Sequence, residues 1–412
     1  MDALDRIETD VAARDVHDAP APAPAHVQSF EVVTELDRLG ALSDAWRDLL
    51  APGRFFVGPD WILAWLRWRA ADVTPHVVVG RDEHGRLASV LPLHRTADGE
   101  LATCGAEHGA VHVDVVSTPE DARVAAEGAL ALLAREKAPR IRFHRLAEDG
   151  ALYKALRRDV VPGARVERPV TTCPYLVPES SWEGFLGRLS KHQRHEVQRQ
   201  CRRFLEREGA AVRWVREPEA CATAVAELFD LHERRFADLD RSSAFTGAAL
   251  RDFHVALATG LAREGRLLLG FLDAEGRTVA SVYGFHCGST TYMFQAGIDP
   301  DFSATGAGVV LRAHVLRDEV IAAGRHELDL LDGCQAWKLR WASGVRVIFD
   351  VDLYPATLAG RARGAVAQGV ASLREKAADV VKGMRCPGRP EHEVVDPKYC
   401  QRLNCRFSPP TG

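Results

Sequence analysis

No stretch of the 412 residues approaches the ~20 consecutive apolar positions of a membrane-spanning helix, which argues against an integral helical membrane protein. Charge of one sign is also missing. The chain holds 53 Lys and Arg against 57 Asp and Glu, and a net charge of −4 argues against a dedicated nucleic-acid binder while leaving room for local basic faces. Met1 to Asp18 is rich in charge and lacks the apolar centre of a secretory leader, so a cytoplasmic protein is expected. The nine cysteines include no Cys-x-x-Cys pair. Most stand singly in apolar segments, as reduced thiols do, and a disulfide frame is not expected. The tail spaces Cys386, Cys400 and Cys405 as C-x₁₃-C-x₄-C around His392, a poor zinc pattern, so no metal is predicted.

What is present is a composition of 46% hydrophobic and 27% charged residues, that of a soluble globular chain long enough for two domains. Residues 1–28 pass from an acidic lead into Ala19-Pro20-Ala21-Pro22-Ala23-Pro24, which cannot bury a core and reads as a disordered segment. Val32, Leu36, Leu39, Leu42, Trp46 and Leu49 then suggest one amphipathic helix. Trp61, Trp65 and Trp68 share a face of the next and are expected in the core. Strands are read at 76–80 and 87–93, a helix at 124–136 and a strand at 140–146.

The second half repeats this plan. It gives helices at 182–208, 217–236 and 246–263, and a hairpin of strands 267–272 and 278–286 around Asp273-Ala274-Glu275-Gly276. Strand 290–296 follows, then a helix to Ala323 and strand 327–331. Two α/β halves with parallel strands are the expectation. A closing helix at 357–385 carries Val366, Val370, Leu373 and Val380 on one side and is expected to pack against the body rather than on a membrane.

Between the strand at Thr290 and the helix at Val309 lies Ile298-Asp299-Pro300-Asp301-Phe302-Ser303-Ala304-Thr305-Gly306-Ala307-Gly308. A glycine loop between a strand and a helix start leaves backbone N–H groups aimed one way, with the positive helix end behind them. Glycine lets an anion come close to the backbone. A dinucleotide loop would need a third glycine where Leu311 stands, and a nucleoside-triphosphate loop a lysine that is absent here. The equivalent region of the first half, Cys104 to Pro119, has Gly105 and Gly109 but no Gly-x-Gly at a helix start.

The loop resembles the acyl-CoA loop of the GNAT acyltransferases, with Ile298, Pro300, Gly306 and Gly308 in place and Ser303 where Arg or Gln is usual. Four further segments resemble the CelD-type subgroup, and more distantly the Fem-type transferases. They are Leu189 to Val197 leading to Arg202-Arg203-Phe204-Leu205-Glu206, Phe245-Thr246-Gly247 with Phe253-His254, Gly265-Arg266-Leu267, and Leu328 to Gly333 with Trp337-Lys338-Leu339-Arg340-Trp341. The resemblance runs from about Phe30 to Leu353. It implies tandem GNAT-like α/β domains, with mixed central sheets flanked by helices. The first, at 29–175, is degenerate; the second, at 176–356, carries the acyltransferase site. Helix 357–385 and a Cys/Pro-rich tail at 386–412 complete the chain.

The implied reaction is direct attack of an amine or hydroxyl on the thioester of acyl-CoA, or of a phosphopantetheine on an acyl carrier protein. Its acceptor is a small molecule, a glycan or a peptide, with no DNA partner. Gln295, Ala296, Gly297 and Ile298 would hold the pantetheine and polarise the carbonyl, and Ser303, Ala304, Thr305, Gly306, Ala307 and Gly308 would hold the phosphates. Lys338 stands first among candidate side chains, as oxyanion stabiliser or acceptor ligand. Asp329, in an apolar strand, is either working or paired with Lys338 or Arg340. His286 is the candidate base and Tyr292 a candidate acid, Tyr283 a weaker one. Trp337 stands where the family usually has tyrosine, and Asp332 and Cys334 where a basic and an acidic residue are common. The basic helix with Lys191, Arg194, Arg199, Arg202, Arg203 and Arg207 is either a solvated face or a site for an anionic partner. Transfer from an aminoacyl-tRNA, as in Fem-type proteins, and a non-catalytic scaffold are the alternatives.

Overall fold

Valine-rich strands buried on both sides carry the first of two units. The computed structural model describes residues 26–158, 161–238, 247–333 and 335–384, with the side chains of the last helix described to Leu373. The first unit holds residues up to 174 and resumes at Asp332, and the second is Tyr175–Leu331. Residues 1–25, the tail from residue 385 and Cys334 lie outside the described residues, as do the expectations placed on them.

In the first unit, β1 (Ser29–Val33) is followed by the short helices α1 (Leu36–Ala41) and α2 (Ser43–Asp48). The single helix expected from Val32 to Leu49 is therefore incorrect. Its β-branched start pairs instead with β3 in antiparallel register, Val33 opposite Val77. Helix α3 (Pro59–Trp68) buries Trp61 and Trp65 as its spacing implies, and Trp68 packs edge-on against His108. Strands β2 (Val73–Pro75), β3 (Val77–Arg81), β4 (Leu87–Leu91), β5 (Leu93–Thr96), β6 (Leu101–Thr103) and β7 (Val116–Ser117) precede α4 (Ala122–Leu133). After it come β8 (Ile141–Ala147), α5 (Ala151–Leu156) and β9 (Gly163–Leu176). One sheet runs β1-β3-β4-β7.

The second unit opens with α6 (Trp182–Arg188) and α7 (Lys191–Leu205), where one long helix was expected. Ser190 breaks it by forming a capping box: its Oγ accepts from Gln193 N at 3.3 Å, and Gln193 Oε1 accepts from Ser190 N at 3.2 Å. Strand β10 (Ala211–Trp214), helices α8 (Cys221–Asp238) and α9 (Ala248–Arg263), and strands β11 (Leu267–Ala274), β12 (Arg277–Cys287) and β13 (Thr290–Ile298) follow. Helix α10 (Ala307–His314) runs into a π-helical stretch, Val315–Ile321, and β14 (Glu327–Asp329) closes the unit. The strand order is β10-β11-β12-β13-β14, with Tyr175 and Leu176 of β9 beside β14. Pairing is antiparallel except between β13 and β14, and in the first unit between β6 and β8. The parallel organisation read from the sequence is thus corrected to mixed sheets.

Helix α11 (Ala336–Trp341) and β15 (Gly344–Pro355) belong to the first unit, not to a domain at 176–356 as expected from the sequence. There β15 lies between β9 and β8, in the order β9-β15-β8-β6-β5-β2, with Ile348 opposite Ala147 and Leu353 opposite Ile141. Acidic residues on β15 meet basic ones across the sheet. Arg168 donates to Asp352 at 3.1 Å and to Asp350 at 3.4 Å.

The chain ends in α12 (Leu358–Met384). Its first turns approach β15 closely through glycine: a Cβ at Gly364 would lie 2.5 Å from Ala164 Cβ, and one at Gly360 2.1 Å from Pro355 O. Val366, Val370 and Leu373 do not pack on the body as expected; they are 67, 42 and 67% exposed. At 100° per residue the small residues Gly360, Gly364, Ala367 and Ala371 take the inner face, which turns the valines and leucine outward.

Candidate functional site

Strands β13 and β14 separate, and that separation builds the site. Their parallel pairing has three rungs, ending at Tyr292 opposite Asp329. Beyond Tyr292, β13 continues for six residues with β12 on one side and no strand described on the other. Alternate residues of such an edge aim N–H and C=O away from the sheet. Two devices hold the separation. On β14, Asp329 Oδ1 accepts from Leu331 N at 2.8 Å, and Leu331 takes the left-handed φ of 53°, which turns the chain away. On β13 a bulge shifts the register between Tyr283 and Gly284, whose partners are Gln295 and Met293, so Phe294 is the extra residue. A Cβ on Gly284 would sit 1.8 Å from Tyr292 O, so only glycine fits there.

At the end of β13, Asp299 is 2% exposed and pins the loop. Its Oδ1 accepts from Asp301 N at 3.0 Å, and its Oδ2 from Arg234 at 3.1 Å and Arg277 at 3.4 Å. Phe302 then buries its ring against Phe204, with the Arg207 and Arg277 guanidinium groups 5.4 and 4.9 Å from its centroid. That burial stabilises the loop by ~2–3 kcal/mol. Ser303 and Ala304 are left exposed, and Thr305 Oγ1 donates to Phe302 O at 2.7 Å. Gly306 adopts φ 90° as N-cap of α10, and a Cβ there would lie 3.0 Å from Gln200 of α7. Val309 N and Val310 N donate to Gly306 O. The N–H groups before them precede the first intrahelical bonds, as at any helix start. Gly308 lets Ile298 approach, since a Cβ would be 2.6 Å from Ile298 Cδ1. The ten expected donor-binding residues therefore form one continuous path: Gln295, Ala296, Gly297 and Ile298 on the open edge, then Ser303 to Gly308 around the helix start.

The expected catalytic side chains are not gathered in the same way. His286 is a correction. It lies opposite Thr291, at the far end of β13 from the loop, and is 3% exposed. Its ring bonds Thr291 Oγ1 at 3.0 Å and faces Glu319 Oε2 at 3.5 Å. Burial lowers its pKa against the opposing pull of Glu319, and Glu319 is held by Arg216 as well, so His286 is committed to a buried network rather than open to a nucleophile. Tyr292 and Asp329 share the last rung of the pairing, each 1% exposed. Tyr283 is fully buried among Phe285, Phe294 and His254, and burial drives its pKa well up, so it packs. Lys338 belongs to the first unit. It is 8% exposed and donates to the Asp332 backbone oxygen at 2.6 Å, not to a carboxylate; the Asp332 carboxylate accepts from Arg145 at 2.8 Å and from Thr171.

One residue was not anticipated. His232 on α8 is 3% exposed, stacks on Phe236 at 4.4 Å and hydrogen-bonds Gln295 on the open edge of β13. Burial lowers its pKa to about 4, so it is neutral at pH 7 and orients Gln295 rather than titrating. In the sequence it falls on the apolar phase of α8 with Leu228 and Leu231 and reads as core.

Residues 191–339 match a family model described as an acetyltransferase (GNAT) domain, and this span contains the open strand, the loop and α10. No curated protein matches the chain. Among solved structures it is similar to FemX, with a TM-score of 0.56 at 9% identity over 80% of this chain and 98% of that one. It is also similar to the C-terminal domain of a putative lysylphosphatidylglycerol synthetase from Agrobacterium fabrum, with a TM-score of 0.53 at 11% identity over 81% and 96%. L-PGS from Bacillus licheniformis gives a TM-score of 0.50 at 10% identity over 82% and 96%. At such identities the likeness is one of fold, a GNAT-like mixed α/β architecture. Among the described residues no cluster of His, Cys, Asp or Glu is arranged to hold a metal, and no helix is long and apolar enough to cross a membrane.

Proposed function

We propose that the protein is an acyltransferase that holds an acyl thioester of CoA, or of a carrier-bound phosphopantetheine, along β13 and the Gly306 helix start. The supporting observation is the open edge from Gln295 to Ile298 leading directly into a left-handed glycine at a helix N-terminus. Amide groups on that edge suit the pantetheine amides, and the helix start suits the pyrophosphate. An amine or hydroxyl attacks the thioester carbon, the carbonyl oxygen becomes an oxyanion, and the C–S bond breaks to release the thiolate. Backbone N–H groups near the bulge would meet the oxyanion; losing one such donor typically costs ~10²–10³ in rate. Asp329 and Lys338 are retained as residues to test, Asp329 for holding the strands apart and Lys338 for acceptor binding.

Titrating the pure protein with acetyl-CoA and longer acyl-CoAs while following the melting temperature tests this reading. A saturable rise is expected with at least one thioester, and free thiol should appear when an acceptor is supplied. No shift with any acyl-CoA or acyl carrier protein would sink it. A second reading, an aminoacyl ester carried on RNA, is favoured by one observation: exposed Lys191, Arg199, Arg202 and Arg203 line α7, the helix that abuts Gly306. Binding of charged tRNA with a steep salt dependence would select it.

A further inference from the structure

The outward face of α12 is the largest apolar surface left unclaimed by the site. Leu358, Val366, Val370 and Leu373 are 89, 67, 42 and 67% exposed, and with Ala362 the last three fall within an arc of about 80°. The helix seats its smallest residues on β15 and β9 and presents its larger apolar ones to the outside, the reverse of a helix that only caps a core. Exposed Arg363 borders the stripe and Arg361 lies behind it. Over its whole length α12 carries five basic residues (Arg361, Arg363, Arg374, Lys376 and Lys382) against two acidic ones, Glu375 and Asp379.

A second copy of the helix fits this face badly. A coiled-coil seam advances 3.5 residues at a time, and through Ala362, Val366 and Leu373 it would also take in Gly369 and Lys376. That seam holds a gap and a charge, and the two basic helices would repel. An anionic lipid surface complements both features: the stripe is shallow, matches a straight helix, and has cations for the headgroups.

We propose that α12 lies along an anionic lipid surface, with Leu358, Val366, Val370 and Leu373 in the acyl boundary and its arginines at the phosphates. The helix lies on the bilayer rather than across it, and the idea is independent of the acyltransferase reading. The test uses the full chain floated with vesicles of equal phosphatidylcholine and phosphatidylglycerol, or of phosphatidylcholine alone. The expected result is recovery with the anionic vesicles, at least tenfold above the neutral ones, weakened by salt. A Val366→Asp/Leu373→Asp protein should lose it at least tenfold, and Arg361→Glu/Arg363→Glu severalfold. Both variants change exposed side chains, so an unaltered melting temperature and an unaltered acyl-CoA shift confirm that only the surface was changed. Equal recovery of wild type and the Asp variant would overturn the proposal. So would absence of wild-type recovery, or a concentration-dependent dimer that the Asp variant abolishes.

Discussion

Both units place two left-handed glycines after a strand, yet only one arrangement makes a cradle. In the first unit Gly105 at φ 74° and Gly109 at φ 96° bracket a single turn, Ala106–His108, and the next helix begins thirteen residues later at Ala122. Gly105 is required there because a Cβ would lie 2.4 Å from Trp61 Nε1. In the second unit Gly306 is itself the cap of α10, and the strand before it has an open edge. The glycine of the first unit serves packing. That of the second leaves N–H groups facing outward, and the difference lies in what flanks the residue rather than in the residue.

The largest effect expected from breaking this comparison is at Gly306. Gly306→Val should weaken acyl-CoA binding at least about 30-fold, because a branched residue resists the left-handed conformation by ~2 kcal/mol and meets Gln200. The matched Gly105→Ala change should lower the stability of the first unit by ~1–2 kcal/mol through Trp61 and leave acyl-CoA affinity unchanged. Isothermal titration and urea melts of both variants separate the two roles; equal loss of affinity in the two would erase the distinction.

Acid should then cost each unit a similar amount. His94 in the first and His232 in the second are both buried with pKa lowered to about 4. The unfolded chain takes up these protons first, so stability is full above pH ~6.5 and falls as pH drops toward 4. By pH 5 the loss is ~2 kcal/mol per histidine. Urea melts at pH 7 and 5 measure it, and His94→Gln and His232→Gln should each remove their share. Undiminished pH dependence in either variant would contradict the assignment. The smallest effect is expected at Ser303, exposed on the loop. Ser303→Arg adds a cation beside the phosphates and should tighten acyl-CoA by no more than about threefold, an effect that fades in salt.

The loop was legible in the sequence because its signals are local: a proline, two glycines and an apolar strand within twenty residues. The tryptophans of α3 were legible for the same reason. Strand β9 was not, since Arg168-Pro169 and Cys173-Pro174 interrupt its fourteen residues and conceal it. Strand β15 carries Asp350 and Asp352 where a core strand should be apolar, and only the basic residues of β8 and β9 make them acceptable. Those partners lie some two hundred positions away, beyond any window of periodicity. His286 looked like a base because a strand-end histidine gives no hint of Glu319, which arrives from the π-helical stretch after α10.

The pairing of β15 with β8 also orders events in time. Val347 N donates to Glu148 Oε1 across 199 positions of sequence, and every residue of the second unit lies between them. At ~5–20 residues per second a ribosome takes about 10–40 s to bridge that gap. During it the second unit can emerge whole, while β8 waits with an unsatisfied edge for a strand not yet made. The unit translated first is therefore the one finished last, and an early stop or a pause before residue 344 would release a complete glycine cradle attached to an incomplete first unit.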